Sequence, residues 1–484
     1  MLRLMRIVFQ LDVLEQDAFE VLRLIRSWKN RIAPVNRIPP EILSLVPDFL
    51  NTNRDEAVIA LTHVCQAWRE AFVSRPILWT NLDCKNVDKT RIYFERSKST
   101  PIDLSIYCDS VGFFNAPLEL IVGATGRLKS LETEVAPLDL QRISLRLSHP
   151  TPLLEALSIG SHGHAVLPSS LFNGDLSSLR ELRLSHVHTE LPWRNMVNLT
   201  SLALTYASPP VSLAQLLDFF ESAPHLREID ILSSTPISGT QKGRLVPLAS
   251  LQKMNTSAHP SYDLFDHLLI PVGAHLTMGA GQLPPPTCEG RPPKFIDNLG
   301  NLQNFTTIRF VSEPIYMQFS GPNGVVTMVS SSFEDRPRLE SLGHFDTSTT
   351  ETLELACCSS RDPFYQVLLP MKELRTLKLD LNACPEIVLD ALGSGNSSSG
   401  VMACPRLEEL VIVVHWLFDF THLLQTAVAR AAGGAKLKTV RISKRPGTAF
   451  PHLDILELEK HVSHVKLECE DDSTDGSIDS DEEN

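Results

Sequence analysis

The sequence has few cysteines, and none at the spacing that binds zinc or forms a redox pair. Its nine cysteines include no CxxC pair, and only Cys357 and Cys358 are close together. Dispersed cysteines in odd number are typical of free thiols in a reducing compartment. The opening MLRLMRIVFQLDVL is basic and then apolar, like a secretory signal, but Asp12, Glu15 and Asp17 follow without a small-residue cleavage site. We therefore expect an intracellular protein, in the cytoplasm or the nucleus.

Long apolar runs and catalytic motifs are also missing. No run of about twenty apolar residues could span a membrane. Neither a glycine-rich phosphate loop, nor a serine nucleophile elbow, nor an HExxH zinc motif occurs. The sixteen histidines are scattered. The pairs His162/His164 and His186/His188 have no carboxylate or cysteine at ligand spacing. We predict a non-catalytic protein with no cofactor, no metal and no membrane partner.

Basic residues are fewer than acidic ones, 44 compared with 57, so the net charge is −13. Nine acidic residues and no Lys or Arg follow Lys466, which leaves −4 for the rest of the chain. This balance argues against binding to the phosphate backbone of a nucleic acid. Residues 467–484 have no aromatic side chain and repel one another, so we predict a disordered acidic tail there.

Residues 1–33 are predicted to form an N-terminal amphipathic helix. Apolar residues recur at steps of three and four between charged ones, as Leu4, Val8, Leu11, Leu14, Ala18 and Leu22. We expect this face to pack on the next domain. The alternative is a short coiled coil that dimerises the protein, which the uneven heptads favour less.

Two adjacent prolines begin a short helical module at residues 34–84. Pro39 and Pro40 of RIPPEIL suit the first turn of a helix, where a missing N–H costs nothing. Pro47 should end or reset this helix. Residues 55–83 contain a second predicted helix, which Pro76 stops. Its apolar face consists of Leu61, Val64, Cys65, Trp68, Ala71 and Phe72. A module of this size buries little surface by itself, so we expect it to pack against another surface.

The order RIPPEIL, LTHVCQAWREAF and PILWTNLD resembles an F-box of the kind common in fungal proteins, over residues 33–106. The chain departs from the family pattern at Pro47, where an aromatic residue is frequent. The resemblance implies binding to the Skp adaptor, which attaches such proteins to a cullin ubiquitin ligase. The implied adaptor contacts are Ile38, Pro39, Pro40, Ile42, Leu43, Val64, Cys65, Trp68, Leu78 and Trp79.

From residue 128 onward an L-x-x-L-x-L pattern recurs about nine times. The first four copies begin 25, 20 and 27 residues apart, within the range of leucine-rich repeats. The last two apolar residues of each copy are two apart and face one way in a strand. The copies begin at Leu154, Leu179, Leu199, Leu226, Phe305, Leu374, Leu407, Leu437 and Leu453.

These patterns predict an α/β protein: a small all-α F-box module, then an irregular leucine-rich-repeat solenoid, or horseshoe, with parallel strands and helices. We expect a connecting segment at 85–127 and the solenoid at 128–466. A Pro/Gly-rich insertion at 271–294 and a Gly/Ser linker at 393–400 interrupt it.

Outward-pointing residues of the repeat strands are the candidate target-binding surface. Their mixed polarity suggests a protein target. They include Arg183, Ser185, Asp230, Lys378, Asp380 and Arg441.

The expected function is a substrate receptor of a Skp–cullin–F-box ubiquitin ligase complex, which supports protein ubiquitination through protein–protein interaction. The alternative is a non-catalytic leucine-rich-repeat scaffold, in which the module caps the solenoid. A receptor should leave the Trp68–Trp79 region open, and a cap should bury it.

Overall fold

The protein is mixed α/β, with helices and a large, mostly parallel β-sheet. The chain divides into two compact units, Met1–Glu181 with His186–Asn195, and Leu182–Ser185 with Met196–Asn484. The computed structural model describes residues 2–43, 45–49, 54–107, 122–168, 170–174, 176–189, 196–206, 212–232, 241, 243–256, 262–279, 299–312, 315–329, 339–356, 363–380, 385–393, 401–414, 419–444 and 452–469.

The first unit begins with helices. Its α-helices are α1 (Leu2–Ile32), α2 (Pro40–Leu43), α3 (Arg54–Thr62), α4 (Gln66–Val73), α5 (Val87–Ser97) and α6 (Pro137–Arg146). Its short 3-10 helices are Pro34–Arg37, Val46–Phe49, Pro76–Trp79, Thr125–Arg127 and Leu171–Gly174.

Parallel strands follow the helical start of this unit. They are β1 (Asn81–Asp83), β2 (Ile102–Tyr107), β3 (Leu128–Val135) and β4 (Ala156–Leu167), and each pairs in parallel with the next. Alternate residues of β2 are buried, and Ile102, Leu104 and Ile106 are at most 3% exposed. A parallel sheet needs a crossover between strands, and α5 supplies the one between β1 and β2.

Strand β5 (Glu181–Thr189) has residues in both units. The α-helices of the second unit are α7 (Leu213–Ser222), α8 (Tyr262–Phe265), α9 (Phe364–Leu368), α10 (Pro385–Gly393), α11 (Phe420–Ala432) and α12 (His452–His461). Two 3-10 helices are Gly300–Leu302 and Leu339–His344.

The remaining strands of the second unit are β6 (Ser201–Thr205), β7 (Glu228–Leu232), β8 (Val246–Pro247), β9 (Lys253–Thr256), β10 (Leu268–Leu269), β11 (His275–Gly279), β12 (Thr307–Ser312), β13 (Ile315–Gly321), β14 (Gly324–Val329), β15 (Thr352–Leu355), β16 (Thr376–Asp380), β17 (Glu409–Val414), β18 (Thr439–Lys444) and β19 (His464–Cys469).

The order of pairing in the second unit nearly follows the chain. Strands β6, β7, β9, β11 and β14 pair side by side in parallel, and so do β12 and β15 to β19. Strand β13 is antiparallel to β12 and β14, so a meander of three strands joins the two parallel series. Its turn uses Gly324 at φ +106, where a Cβ would come within 3.0 Å of the Ala274 carbonyl oxygen.

The predicted repeat strands are confirmed for the first eight copies of the pattern. The last two apolar residues of each lie in a strand, as Leu377 and Leu379 do in β16. The leading residue of each is at most 2% exposed. Between β6 and β7, Ser212 caps α7 and accepts a hydrogen bond from the Gln215 N–H.

The ninth copy was wrongly predicted to be a strand, because Leu453, Leu456 and Leu458 lie in α12. Leu456 is 61% exposed, whereas Ile455, Leu458 and Val462 are buried at steps of three and four. The burial period here is that of a helix and not that of a strand.

Two predicted boundaries also need correction. Residues 85–127 are not simply a connecting segment, because they contain α5 and β2. The predicted insertion at 271–294 contains β11, in which Leu276 and Met278 are at most 1% exposed. The neighbouring prolines and glycines hid this two-residue period. Residues 280–298 and 394–400 and the acidic stretch 470–484 lie outside the described residues, while 467–469 belong to β19.

A fully buried arginine links α11 to the turn that precedes β17. Arg430 of α11 has no exposed surface. Its guanidinium donates to the carbonyl oxygens of Ala403 at 3.0 Å and Cys404 at 2.8 Å. Burial lowers the pKa of Arg430 and raises that of the Cys404 thiol to about 12, so this thiol stays protonated at neutral pH.

We predict that Arg430→Ala destabilises the second unit by about 3–5 kcal/mol, because it leaves a cavity and unpaired buried carbonyls. Urea unfolding followed by fluorescence measures the shift. Arg406→Ala is the matched control, since Arg406 pairs with Glu373 at the surface and its loss should cost less than about 1 kcal/mol. Equal shifts for both variants would contradict the structural role of Arg430.

Candidate binding surfaces

The module at residues 34–84 has a core of its own. Helices α2, α3 and α4 surround buried Leu43, Val58 and Phe72. Helix α2 ends at Leu43, and a 3-10 helix with Pro47 in its second position begins at Val46. The predicted reset of the helix at Pro47 is therefore confirmed, because proline can begin a new turn but cannot donate inside the old one.

Trp79 joins α4 to α5. It is 1% exposed, and its indole Nε1 donates to the Phe72 carbonyl oxygen at 3.0 Å. Its ring meets Tyr93 of α5 edge-on at 4.9 Å between centroids, and the Arg96 guanidinium lies 4.4 Å from the ring. Three different contacts thus hold the indole inside the first unit.

Trp68 holds the turn before α2 against α4. Its Nε1 donates to Asn36 Oδ1 at 2.5 Å, and the Cys65 thiol lies 3.9 Å from the same oxygen. Asn36 in turn donates to the Asn30 carbonyl oxygen at the end of α1. Sequence reasoning missed Asn36, and the only signal for it was its place just before the two prolines.

An ion pair also ties α3 to α5. The Asp55 carboxylate accepts a hydrogen bond from Lys89 Nζ at 2.8 Å, and the Asp55 side chain is 9% exposed. Burial, with the Asp55 charge nearby, raises the pKa of Tyr93. Asp55 sits in the first turn of α3, where the helix dipole favours a negative charge.

The structure separates the predicted adaptor contacts into two groups. Pro39, Pro40, Ile42 and Val64 are exposed, and Ile38 and Cys65 are half-buried. The other four side chains are at most 8% exposed, so we revise their predicted role: they fill the core and cannot touch a partner unless the module opens. These four are Leu43, Trp68, Leu78 and Trp79.

Among the residues that follow α1, exposed apolar side chains are concentrated in the module. In the described part of residues 34–84, seven large apolar residues are exposed, compared with fifteen in the described part of 85–469. Such a concentration marks an interaction surface more often than scattered exposed residues do. The seven are Val35, Ile42, Leu45, Phe49, Ile59, Val64 and Ile77.

The second candidate surface is a row of residues across the strands of the second unit. The strand register places Asp230, Lys378 and Arg441 at equivalent positions of β7, β16 and β18. The row also includes Arg309 and Glu354, which sequence reasoning missed. Every second residue of a strand points to the same face, so these side chains share one face.

A three-residue ion cluster lies within this row. Glu354 of β15 accepts from Arg309 Nε on β12 at 2.7 Å and from Lys378 Nζ on β16 at 2.9 Å. Burial would raise the pKa of Glu354, but the hydrogen bonds and charges of Lys378 and Arg309 hold it below its usual value. Arg441 pairs in the same way with Glu409 at 3.1 Å.

Asp230 and Arg183 are close enough to interact electrostatically. Burial raises the pKa of Asp230, against the opposing charges of Lys253 and Arg183. Arg183 is exposed, and Ser185 and Asp380 are half-buried. Beside them, Val413 and Ser443 are buried. Ser185 and Asp380 are thus as accessible as Asp230 and Lys378, whereas the outward face is closed at Val413 and Ser443.

Other kinds of site find little support in the described residues. There, no three or more His, Cys, Asp and Glu side chains are grouped as metal ligands would be. No helix among these residues combines the length and the apolar character that crossing a membrane requires.

No protein-family model matches the chain, and no curated protein matches it in sequence.

We predict that Glu354→Gln removes part of the acid sensitivity of the second unit. A carboxylate whose pKa is lowered on folding adds stability above its unfolded pKa of about 4.3, and this is lost as pH falls through the folded pKa. Urea midpoints at pH 6 and pH 3 measure the effect. The variant should be less stable than the parent at pH 6, with a smaller loss on acidification. An unchanged loss would show that the cluster contributes nothing.

Proposed function

We propose that this chain is a substrate receptor of a Skp–cullin–F-box type ubiquitin ligase. In this account residues 34–84 are an F-box that binds the Skp adaptor, and through it a cullin. The observation that carries the proposal is the exposure of Ile42 and Val64, at 54% and 55%, on a module whose core is already filled. A complete core leaves these apolar side chains available to a partner.

The adaptor surface proposed here is smaller than the one implied by the resemblance. It consists of Pro39, Pro40, Ile42 and Val64, with half-buried Ile38 and Cys65 at its edge. The tryptophans act indirectly, because the Trp68–Asn36 hydrogen bond fixes the turn that carries the prolines. Apolar anchors presented on a rigid support lose little entropy on binding, which favours affinity.

The sheet of the second unit is proposed to be an irregular leucine-rich-repeat array that holds a protein target. Its polar row offers Asp230, Lys378 and Arg441 to a target of mixed charge. Ubiquitin transfer would be carried out by the partners, and this chain would supply proximity and orientation.

Burial of Trp79 favours a second candidate function. In that account the chain is a leucine-rich-repeat scaffold, and the module serves as a cap and never meets an adaptor. Trp79 lies two residues before β1 and packs on α5, as expected of a segment that covers the start of a sheet. The scaffold account leaves the exposure of Ile42 and Val64 without a purpose.

The test is binding of the full chain to purified Skp adaptor, measured by isothermal titration. We expect Ile42→Asp with Val64→Asp to weaken binding more than tenfold, because each variant places a charge in an apolar contact. Both residues are exposed, so the variant chain should keep its fold and its circular dichroism spectrum.

Leu138→Asp is the matched control. Leu138 is 69% exposed in the first turn of α6, where a negative charge suits the helix dipole. This variant should bind the adaptor as the parent does. A folded parent that does not bind would refute the receptor account and leave the scaffold. Equal binding by parent and double variant would place the contact elsewhere.

A further inference from the structure

Helix α1 is a long helix whose described side chains are exposed. It runs for 31 residues, and from Val8 onward every described side chain is exposed except half-buried Ser27. Trp28 is 72% exposed and Ile32 71%. The expectation that this face packs on the next domain is therefore wrong for the described side chains. An exposed helix with this many apolar side chains is unfavourable in water, so a covering surface is needed.

The apolar face first counted on α1 is uneven, but a second set of apolar residues, which includes Ile7 and Val21 in place of Val8 and Leu22, follows an unbroken heptad. Residues at strict alternating steps of three and four form what we call the seam, namely Leu4, Ile7, Leu11, Leu14, Ala18, Val21, Ile25, Trp28 and Ile32. The side chains of Val21, Ile25, Trp28 and Ile32 also line an open apolar groove near the end of the helix. A sustained seam of this period is the pattern by which one helix packs along another.

The flanking charges of α1 are divided along its length. Glu15 and Asp17 flank the seam in the middle of the helix, and Lys29 and Arg31 flank it near the end. In contrast, Glu20 and Arg23 lie away from the seam and pair with each other at 3.0 Å. Glu20 and Arg23 thus pair within one helix, while the charges beside the seam lie where a second helix would reach them.

We propose that α1 binds α1 of a second copy of this chain as an antiparallel coiled coil over residues 14–32. In this register Trp28 faces Ala18 of the second copy, so that the largest seam residue meets the smallest. Ile25 faces Val21, and Ile32 faces Leu14. Beside the seam, Asp17 faces Arg31 and Glu15 faces Lys29, and the twofold axis repeats each pair.

A parallel arrangement of the same helices fits less well. It would place Trp28 against Trp28 and Ala18 against Ala18, which crowds one layer and leaves a cavity in another. Asp17 would then lie beside Leu22, and Lys29 beside Leu24, so no flanking pair of opposite charge would form. Flanking charges set the partner and the orientation of coiled coils, and here they favour the antiparallel one.

This proposal does not depend on the proposed function, because α1 precedes the module and shares none of its adaptor residues. The test is the mass of the full chain in solution, by sedimentation equilibrium at micromolar concentration. The parent should be a dimer, at twice the 53.8 kDa of the chain. Glu15→Lys with Asp17→Arg should give a monomer, because like charges then face each other. Adding Lys29→Glu and Arg31→Asp to the same chain should restore the dimer.

Three further variants test the face and the orientation of the contact. Glu20→Arg with Arg23→Glu, on the outer face, should leave the dimer unchanged. Leu24→Cys should cross-link to its own copy with a short bis-maleimide, above the level given by the native cysteines, and Leu14→Cys should not. A monomeric parent, a dimer indifferent to charge reversal, or cross-linking at Leu14→Cys would overturn the proposal. Binding of a monomeric parent to phosphatidylcholine vesicles would overturn it in favour of a membrane surface.

Discussion

The constraint on which the sheet depends is that no strand can bury its apolar side chains alone. Leu377 and Leu379 of β16 have no exposed surface, and β15 and β17 bring apolar residues to the same register positions on either side. Each leading residue, such as Leu374, closes the layer from the turn before the strand. Loss of one strand would therefore expose the apolar side chains of the two strands beside it. The same strand pairing holds the polar face in place.

In the module the aromatic residues hold the fold, while several smaller apolar residues remain exposed. The indole N–H groups of Trp79 and Trp68 each donate a hydrogen bond within the chain, so both rings are fixed in orientation. The side chains of Ile42 and Val64, in contrast, are exposed. The receptor proposal thus rests on two sets of residues in one small module: buried tryptophans that hold the fold and exposed apolar residues at its surface. Helix α1 is a separate case, because it exposes a whole seam rather than a few anchors.

Much of the fold follows from sequence pattern, and the failures have physical causes. The two-residue period predicted eight strands, because burial on one face of a strand leaves that mark in the sequence. It failed at β11, where prolines and glycines adjoin Leu276 and Met278. It also failed at Leu456, because leucines with the spacing of the repeat pattern lie there in a helix. The adaptor set was predicted as a whole, but pattern alone cannot tell a core tryptophan from a surface one. Asn36 left no pattern, since a single polar contact has no period.

The most direct test of the central account is hydrogen–deuterium exchange of the full chain with and without an excess of Skp adaptor. Exchange reports on protection of backbone amides segment by segment, so it locates a contact without altering the protein. The account predicts slower exchange in residues 37–43 and 61–66, with residues 76–83 unchanged because Trp79 already holds them. Unchanged exchange in residues 37–43 with adaptor in excess would contradict it.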